Sequence, residues 1–208
     1  MRIGLISDIH ADLDGLVGAL ALLDGLGVEA ILCAGDLVER GHGGDAVIEL
    51  VRARAISCVK GNHEYITLFK QEAVEREGDP GGLGFRPLTA GSIDYLRALP
   101  DRLRLSFEGT PLLLAHATPW DDFTFVYPES RPGLYRRVAE AAQADFVVLG
   151  HTHVPMLAQV GATWIANPGS VSAAGSRTCA VLSIPDGAFQ VFLIPDGTPV
   201  NPIARLSL

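Results

Sequence analysis

The chain has 208 residues, of which 24 are acidic and 16 basic, so its formal net charge at pH 7 is −8. With 48% hydrophobic residues and this length, we expect one globular domain over residues 1–208 with a large core. The acidic balance disfavours long nucleic acid as a partner, because proteins that bind the phosphate backbone carry clustered Lys and Arg side chains.

The first part of the chain predicts alternating strands and helices. A buried strand is expected at 2–7, and from Asp12 onward apolar residues recur at helical spacing until Gly25 and Gly27. A second strand at 30–34, a helix at 45–55 and a third strand at 56–59 follow. Successive strand–helix–strand units favour a parallel sheet.

The rest of the chain predicts a helical insertion followed by more strands. Residues from 65 to about 100 contain a charged helix through Glu77, a turn at 78–82 and a short helix near 92–99, which we interpret as a cap. Strands at 103–107 and 111–115 resemble a hairpin, and a helix at 132–143 precedes a strand at 146–149. Further strands are expected near 163–166, 179–184 and 189–194.

Nothing in the sequence indicates export, membrane insertion or disulfide bonds. The N-terminal apolar run is too short for a secretion signal, and no apolar stretch approaches the ~20 residues of a spanning helix. Cys33, Cys58 and Cys179 lie far apart in apolar stretches and are expected to be buried free thiols. We therefore expect a cytoplasmic protein without membrane contact, and no pattern indicates its oligomeric state.

Polar signatures follow the predicted strands, and five of the six histidines belong to them. They comprise Asp8-Ile9-His10, Gly35-Asp36, Gly61-Asn62-His63-Glu64, His116 and Gly150-His151-Thr152-His153. The carboxyl ends of parallel strands gather functional sites. Imidazole, carboxylate and amide donors suit divalent cations such as Mn, Fe, Zn, Co or Ni. Each signature alone is weak, but their conjunction in this order predicts a metal site.

These motifs, together with Glu39-Arg40-Gly41 after Gly35-Asp36, resemble the calcineurin-like metallophosphoesterase family over residues 1 to about 172. Glu64 and Glu39 stand where many members carry Asp, and Ala-Thr-Pro follows His116 where Gly is more usual. The resemblance implies an α/β fold, a four-layer αββα sandwich of two mixed β-sheets flanked by helices, with a small helical cap.

The resemblance also implies two divalent metal ions, with Mn favoured. One metal would be held by Asp8, His10, Asp36 and His153, and the other by Asp36, Asn62, His116 and His151. Catalytic roles would fall to His63 as proton donor, to Glu39 as the residue that orients it, and to Arg40 as a phosphate contact.

The implied function is a metal-dependent phosphoric ester hydrolase that cleaves a phosphodiester or phosphomonoester by attack of metal-activated hydroxide. Its partner would be a small phosphoester or a phosphoprotein; cyclic nucleotides and dinucleoside polyphosphates also remain open. The alternative is a catalytically silent scaffold of the same fold that binds a partner, although the donor set is complete here. A nuclease would share the chemistry, but the acidic composition disfavours it.

Some polar residues carry weaker expectations. His42, among glycines, is interpreted as a solvated side chain, and Asp12 and Asp14 as capping and first-turn acids of a helix. Residues 167–170 are expected to form a turn, and the sequence leaves open whether the turn has a further role. The aromatic and acidic segment 120–127 is either a packed surface loop or part of a substrate pocket.

Overall fold

The computed structural model describes residues 1–78, 86–172 and 175–200, and the backbone of 204–207. The helices in the described residues are α1 (Leu13–Gly25), α2 (Gly44–Ala53), α3 (Asn62–Glu77), α4 (Ala90–Ala98) and α5 (Pro132–Ala142). The strands are β1 (Arg2–Ile6), β2 (Ala30–Cys33), β3 (Ser57–Cys58), β4 (Arg102–Phe107), β5 (Thr110–Ala115), β6 (Phe146–Val148), β7 (Met156–Val160), β8 (Thr163–Asn167), β9 (Thr178–Ser183), β10 (Ala188–Leu193) and β11 (Ala204–Ser207). No helix in the described ranges combines the length and apolarity that a membrane crossing requires.

The first sheet has the strand order β10-β9-β1-β2-β3. β1, β2 and β3 are parallel, with Leu5 opposite Leu32 and Cys33 opposite Cys58. The predicted parallel pairing is therefore confirmed. β9 and β10 extend the sheet as antiparallel strands, which makes it mixed.

The second sheet has the strand order β11-β7-β8-β6-β5-β4. The predicted hairpin is present as antiparallel β4 and β5, whereas β5, β6 and β8 run parallel. β7 pairs antiparallel with β8 and parallel with β11.

Helices cover the outer faces of the two stacked sheets. Ile3, Leu5, Leu114, Val148 and Leu182 belong to the buried cluster between the sheets. A second cluster joins α1, α2 and α4 to the outer face of the first sheet, and a third joins α5 to the second sheet. Burial of apolar side chains on both faces of each sheet explains the four layers, as expected.

Element bounds differ from the sequence prediction in informative places. α3 begins at Asn62, so Asn62 and His63 lie in its first turn and not in a loop before it. The third strand is shorter than the predicted 56–59, and β7 and β11 were not predicted as separate strands. α3 and α4 occupy the expected cap segment, but its role as a cap and the single-domain division remain predictions. Residues 79–82 of the predicted turn lie outside the described residues.

Candidate metal centre

Asp8, His10 and His153 form the first group of potential metal ligands. Their ligand atoms lie within 4.8 Å of one another. His153 Nε2 lies 3.2 Å from Asp8 Oδ1 and 3.1 Å from His10 Nε2. Asp8 Oδ1 is buried without a hydrogen-bond partner among the described residues. Burial lowers the pKa of His10 to about 4, although Asp36 and Asp8 oppose the shift, so this imidazole is neutral and able to bind a cation.

Asp36 lies at the middle of the site. Its Oδ1 accepts a hydrogen bond from the His63 backbone N–H at 2.9 Å. Its Oδ2 lies 3.8 Å from His10 Nε2, 3.9 Å from His63 Nε2 and 3.4 Å from His116 Nε2. Burial opposes ionisation, but the charge of His116 and its hydrogen bond hold the pKa of Asp36 well below its usual range. The carboxylate is therefore placed between the two predicted ligand sets.

The second group is formed by Asp36, His116 and His151, whose ligand atoms also lie within 4.8 Å of one another. His116 Nδ1 donates to the Ala34 carbonyl oxygen at 2.7 Å, while its Nε2 lies 3.0 Å from Asn62 Oδ1. If the ring is neutral, Nε2 carries a lone pair, and this lone pair faces two oxygen acceptors, Asn62 Oδ1 and Asp36 Oδ2. Burial alone would lower the pKa of His116, but Asp36 outweighs it and raises the pKa to about 10. These converging lone pairs require positive charge between them, which a proton or a metal ion can supply.

His63, Glu39 and Arg40 form a more open group beside the ligands. His63 Nδ1 lies 4.0 Å from Glu39 Oε2, and Arg40 Nη2 lies 3.4 Å from His63 Nε2. Glu39 also pairs with Lys70 Nζ at 2.8 Å, a contact that the sequence did not indicate. Burial lowers the pKa of His63, although Asp36 opposes the shift. The structure thus brings all the predicted site residues together, while their roles remain predictions.

Much of the site has left-handed backbone conformation. Asp8, His10, Asp36, Glu39, Arg40, His151 and His153 all have φ between 50° and 69°. Non-glycine residues rarely adopt this region, and such strain persists where the surrounding structure enforces it. The loops after the strands are therefore shaped to aim these side chains at one point.

Glu64 is a structural residue of the site that sequence reasoning missed. Its buried carboxylate accepts hydrogen bonds from the backbone N–H groups of Gly61 at 2.6 Å, Asp36 at 2.9 Å and Leu37 at 2.7 Å. Burial, followed by the charge of Asp36, raises the pKa of Glu64 to about 7. Glu64 thereby ties the start of α3 to the Asp36 loop. An available signal was a Glu in the third position of a helix, where it can cap the N-terminus.

The turn at 167–170 has the further role that the sequence left undecided. Asn167 Nδ2 donates to the Gly150 carbonyl oxygen at 2.7 Å and lies 3.1 Å from Thr152 Oγ1. Ser170 Oγ donates to the Asp8 carbonyl oxygen at 2.9 Å. The turn therefore holds the loops that carry Asp8, His151 and His153.

The segment 120–127 contacts the centre through His151. His151 Nε2 donates a hydrogen bond to the Phe123 carbonyl oxygen at 3.2 Å. In a neutral ring, Nδ1 then carries the lone pair that can bind a metal ion. The Phe125 ring stacks on the His151 ring with centroids 4.1 Å apart. This segment orients His151, and its part in a substrate pocket remains a prediction.

Comparison with known proteins relates this arrangement to a family. The Calcineurin-like phosphoesterase superfamily domain matches residues 1–187. An uncharacterized protein of Methanocaldococcus jannaschii is 26% identical over 164 residues, covering 74% of this chain and 63% of the relative. The chain thus spans less than two thirds of the length of that relative.

Two solved structures share the fold. A metallophosphoesterase from Sphaerobacter thermophilus superimposes with a TM-score of 0.70 at 23% identity, covering 97% of this chain and 88% of that one. The phosphoesterase Yfce from E. coli gives a TM-score of 0.59 at 21% identity, covering 98% and 99%. With the family match over most of the chain, these findings show that the protein belongs to the calcineurin-like phosphoesterase superfamily.

Proposed function

We propose that this chain is a binuclear metal-dependent phosphoesterase that hydrolyses a phosphodiester or a phosphomonoester. The proposal is carried by one observation: Asp36 Oδ2 lies 3.8 Å from His10 Nε2, a member of the first group of potential ligands, and 3.4 Å from His116 Nε2, a member of the second. Family membership independently indicates a phosphoesterase. The similar phosphoesterase from E. coli supports the same reaction class.

The residues present fit two cations. The unpartnered Asp8 Oδ1 and the close approach of His10 Nε2 and His153 Nε2 are both satisfied if a cation is shared among these atoms. Asp8, His10, Asp36 and His153 would hold one ion, and Asp36, Asn62, His116 and His151 the other. Imidazoles and carboxylates suit Mn, our favoured metal, as well as Fe, Zn, Co or Ni. Bound there, the two ions would supply Lewis acidity and a hydroxide nucleophile near neutral pH.

The remaining side chains transfer a proton, bind the phosphoryl group and orient the catalytic imidazoles. His63 lies beside Asp36 and, once Arg40 Nη2 contacts the phosphoryl oxygen instead of His63 Nε2, donates a proton from Nε2 to the departing alkoxide oxygen. Glu39 Oε2 lies 4.0 Å from His63 Nδ1, beyond hydrogen-bonding distance, so Glu39 would orient the ring through its charge, and Lys70 pairs with Glu39 at 2.8 Å. Arg40, whose Nη2 lies 3.4 Å from His63 Nε2, binds a phosphoryl oxygen. Phe123 fixes the ring of His151 through its carbonyl oxygen.

A silent scaffold of the same fold is the alternative, and hydrolysis separates the two. The wild-type chain, loaded with Mn, is offered bis-p-nitrophenyl phosphate and p-nitrophenyl phosphate, and release of nitrophenolate is followed by absorbance. We expect turnover of at least one of these compounds. Asn62→Ala should abolish it because it removes a ligand oxygen that faces His116 Nε2 at 3.0 Å.

The matched control is Gln159→Ala, which removes an amide side chain whose Nε2 donates to the Gly161 carbonyl oxygen at 3.3 Å in the turn between β7 and β8. It should hydrolyse the same compounds as the wild-type chain, at the wild-type rate. Inertness of the wild-type chain on a panel of small phosphoesters with Mn, Fe, Zn, Co or Ni would favour the scaffold. Full activity of Asn62→Ala would show that the second ligand set is wrong.

A further inference from the structure

A cavity of about 590 Å³ lies beside the candidate metal centre. It is lined by residues 38–46, by Thr67 and Lys70 of α3, by Ala11 and by residues 86–88. This volume falls within the range of small-molecule pockets, ~300–1,000 Å³. A second cavity of about 500 Å³ shares Ala11 and the 40–43 loop with it and is also lined by His10. The shared loop connects the first cavity to the metal centre.

The first cavity has a charge balance opposite to that of the whole chain. Three cationic side chains line it, Arg40, Lys70 and Arg86, against two carboxylates, Glu39 and Asp45. Both carboxylates are engaged within the protein. Glu39 Oε1 accepts from Lys70 Nζ at 2.8 Å, and Asp45 Oδ1 accepts from the backbone N–H of Thr89 at 3.0 Å. Because Lys70 is itself paired with Glu39, the positive charge in excess that an anion would meet is that of Arg40 and Arg86 against the charge of Asp45.

The start of α2 adds backbone donors to the same wall. Residues 44–46 of this ten-residue helix line the cavity, and no side chain caps its N-terminus within the described part of the chain. First-turn N–H groups lack partners inside a helix and favour anions, as does the helix dipole.

Thr67 is an independent sign of a ligand. It lines the cavity, is 2% exposed, and its Oγ1 has no hydrogen-bond partner among the described residues. A buried hydroxyl without a partner is unfavourable and calls for an explanation. Because Thr67 belongs to the cavity lining, its hydroxyl is a candidate donor to an anion bound there.

We propose that this cavity binds a second phosphoryl group of the substrate, so that the preferred substrates are phosphoesters that carry an additional phosphate. The inference rests on the proposed function of the neighbouring centre. The scissile phosphate would lie beside Arg40 and the metal ligands, and the additional phosphate would be held by Arg86, Thr67 and the start of α2.

Binding is measured first without catalysis. The chelator-treated, metal-free protein is titrated with inorganic pyrophosphate in a calorimeter. Arg86→Gln should weaken binding at least tenfold, since a hydrogen bond to a charged group contributes ~1.5–3 kcal/mol. Arg136→Gln removes the same charge from the exposed side of α5 and should leave the affinity unchanged.

Thr67→Val separates ligand binding from a structural role. It should weaken pyrophosphate binding at least tenfold, because a hydrogen bond to a charged group contributes ~1.5–3 kcal/mol. It should leave the thermal midpoint of the ligand-free protein unchanged or higher, because it removes an unpartnered hydroxyl. A lower midpoint with unchanged affinity would remove Thr67 from the subsite, and Arg86→Gln would then decide the proposal.

Kinetics give the second readout. Wild type and Arg86→Gln are compared on alkanediol bisphosphates of increasing chain length and on the matching alkyl monophosphates. Arg86→Gln should lower kcat/KM about tenfold for the bisphosphate that spans the two positions, with no change for the monophosphates.

The outcomes distinguish this proposal from the proposed function. Pyrophosphate binding that depends on Arg86, without hydrolysis of any phosphoester, would retain the anion subsite and overturn the enzyme. Hydrolysis of monophosphates and bisphosphates alike, with pyrophosphate affinity independent of Arg86, would retain the enzyme and overturn the subsite. Absence of pyrophosphate binding by the wild-type protein would also overturn the subsite.

Discussion

Substitution of Glu64 by Ala tests how the site is attached to the fold. The Glu64 side chain is fully buried and receives three backbone N–H groups, from Asp36, Leu37 and Gly61. These N–H groups belong to two loops that are distant in sequence. In Glu64→Ala they would lose their acceptor together, and the truncated side chain would leave a void.

The magnitude follows from these contacts. A buried donor left without an acceptor costs ~1–3 kcal/mol, and entry of water into the void offsets part of this loss. For three donors we expect Glu64→Ala to lower the free energy of unfolding by about 3–5 kcal/mol. With a denaturant dependence of ~2–3 kcal/mol per molar urea, the unfolding midpoint should fall by about 1–2.5 M.

The assay is urea unfolding followed by circular dichroism. Glu72→Ala is the control, since Glu72 lies on the same helix and its side chain, 61% exposed, makes an ion pair with Arg97 at 3.4 Å. An exposed pair contributes little, so this variant should stay within about 0.5 kcal/mol of wild type. Equal midpoints for Glu64→Ala and Glu72→Ala would refute the role assigned to Glu64.

Three further predictions concern the metal centre. Gly61→Ala should lower the metal content measured by plasma mass spectrometry, because its Cβ would overlap Asp36 Oδ1 and lie 2.8 Å from His116 Cε1, whereas Gly91→Ala, with nothing within 4 Å, should load as wild type does. His63→Ala should lower kcat about 10²–10⁴-fold while both metals are retained, and loss of metal along with activity would contradict its role as a proton donor. Removal of both metals should lower the calorimetric thermal midpoint by about 10–20 °C relative to protein in Mn at ~100 times the dissociation constant of each site, and an unchanged midpoint would contradict the ligand assignment.

Local pattern predicted much of this molecule. The spacing of apolar residues, together with the turn residues, predicted β1, α1, β2 and the β4–β5 hairpin with small errors at their ends. The polar residues after β1, β2, β3, β5 and β6 were predicted to meet, because strand ends on one edge of a sheet gather side chains. Their distances bear out this convergence around Asp36.

Long-range features could not be predicted in the same way. In the sequence, Glu64 stood out only because many family members carry Asp at that position. Its role as an acceptor of three backbone N–H groups depends on how close the Asp36 loop comes to the start of α3. The Lys70–Glu39 pair joins residues 31 positions apart. β7 carries an apolar start without a distinct turn before it, so only its antiparallel pairing with β8 defines it as a strand. Tertiary contacts, which no local pattern contains, determine all three.

The central claim is that two cations lie on either side of the Asp36 carboxylate. Crystals grown with Mn and measured at its absorption edge test this directly. We expect two anomalous peaks about 4 Å apart, one beside Asp8, His10 and His153 and the other beside Asn62, His116 and His151. A single peak, or none, within reach of Asp36 would contradict the account.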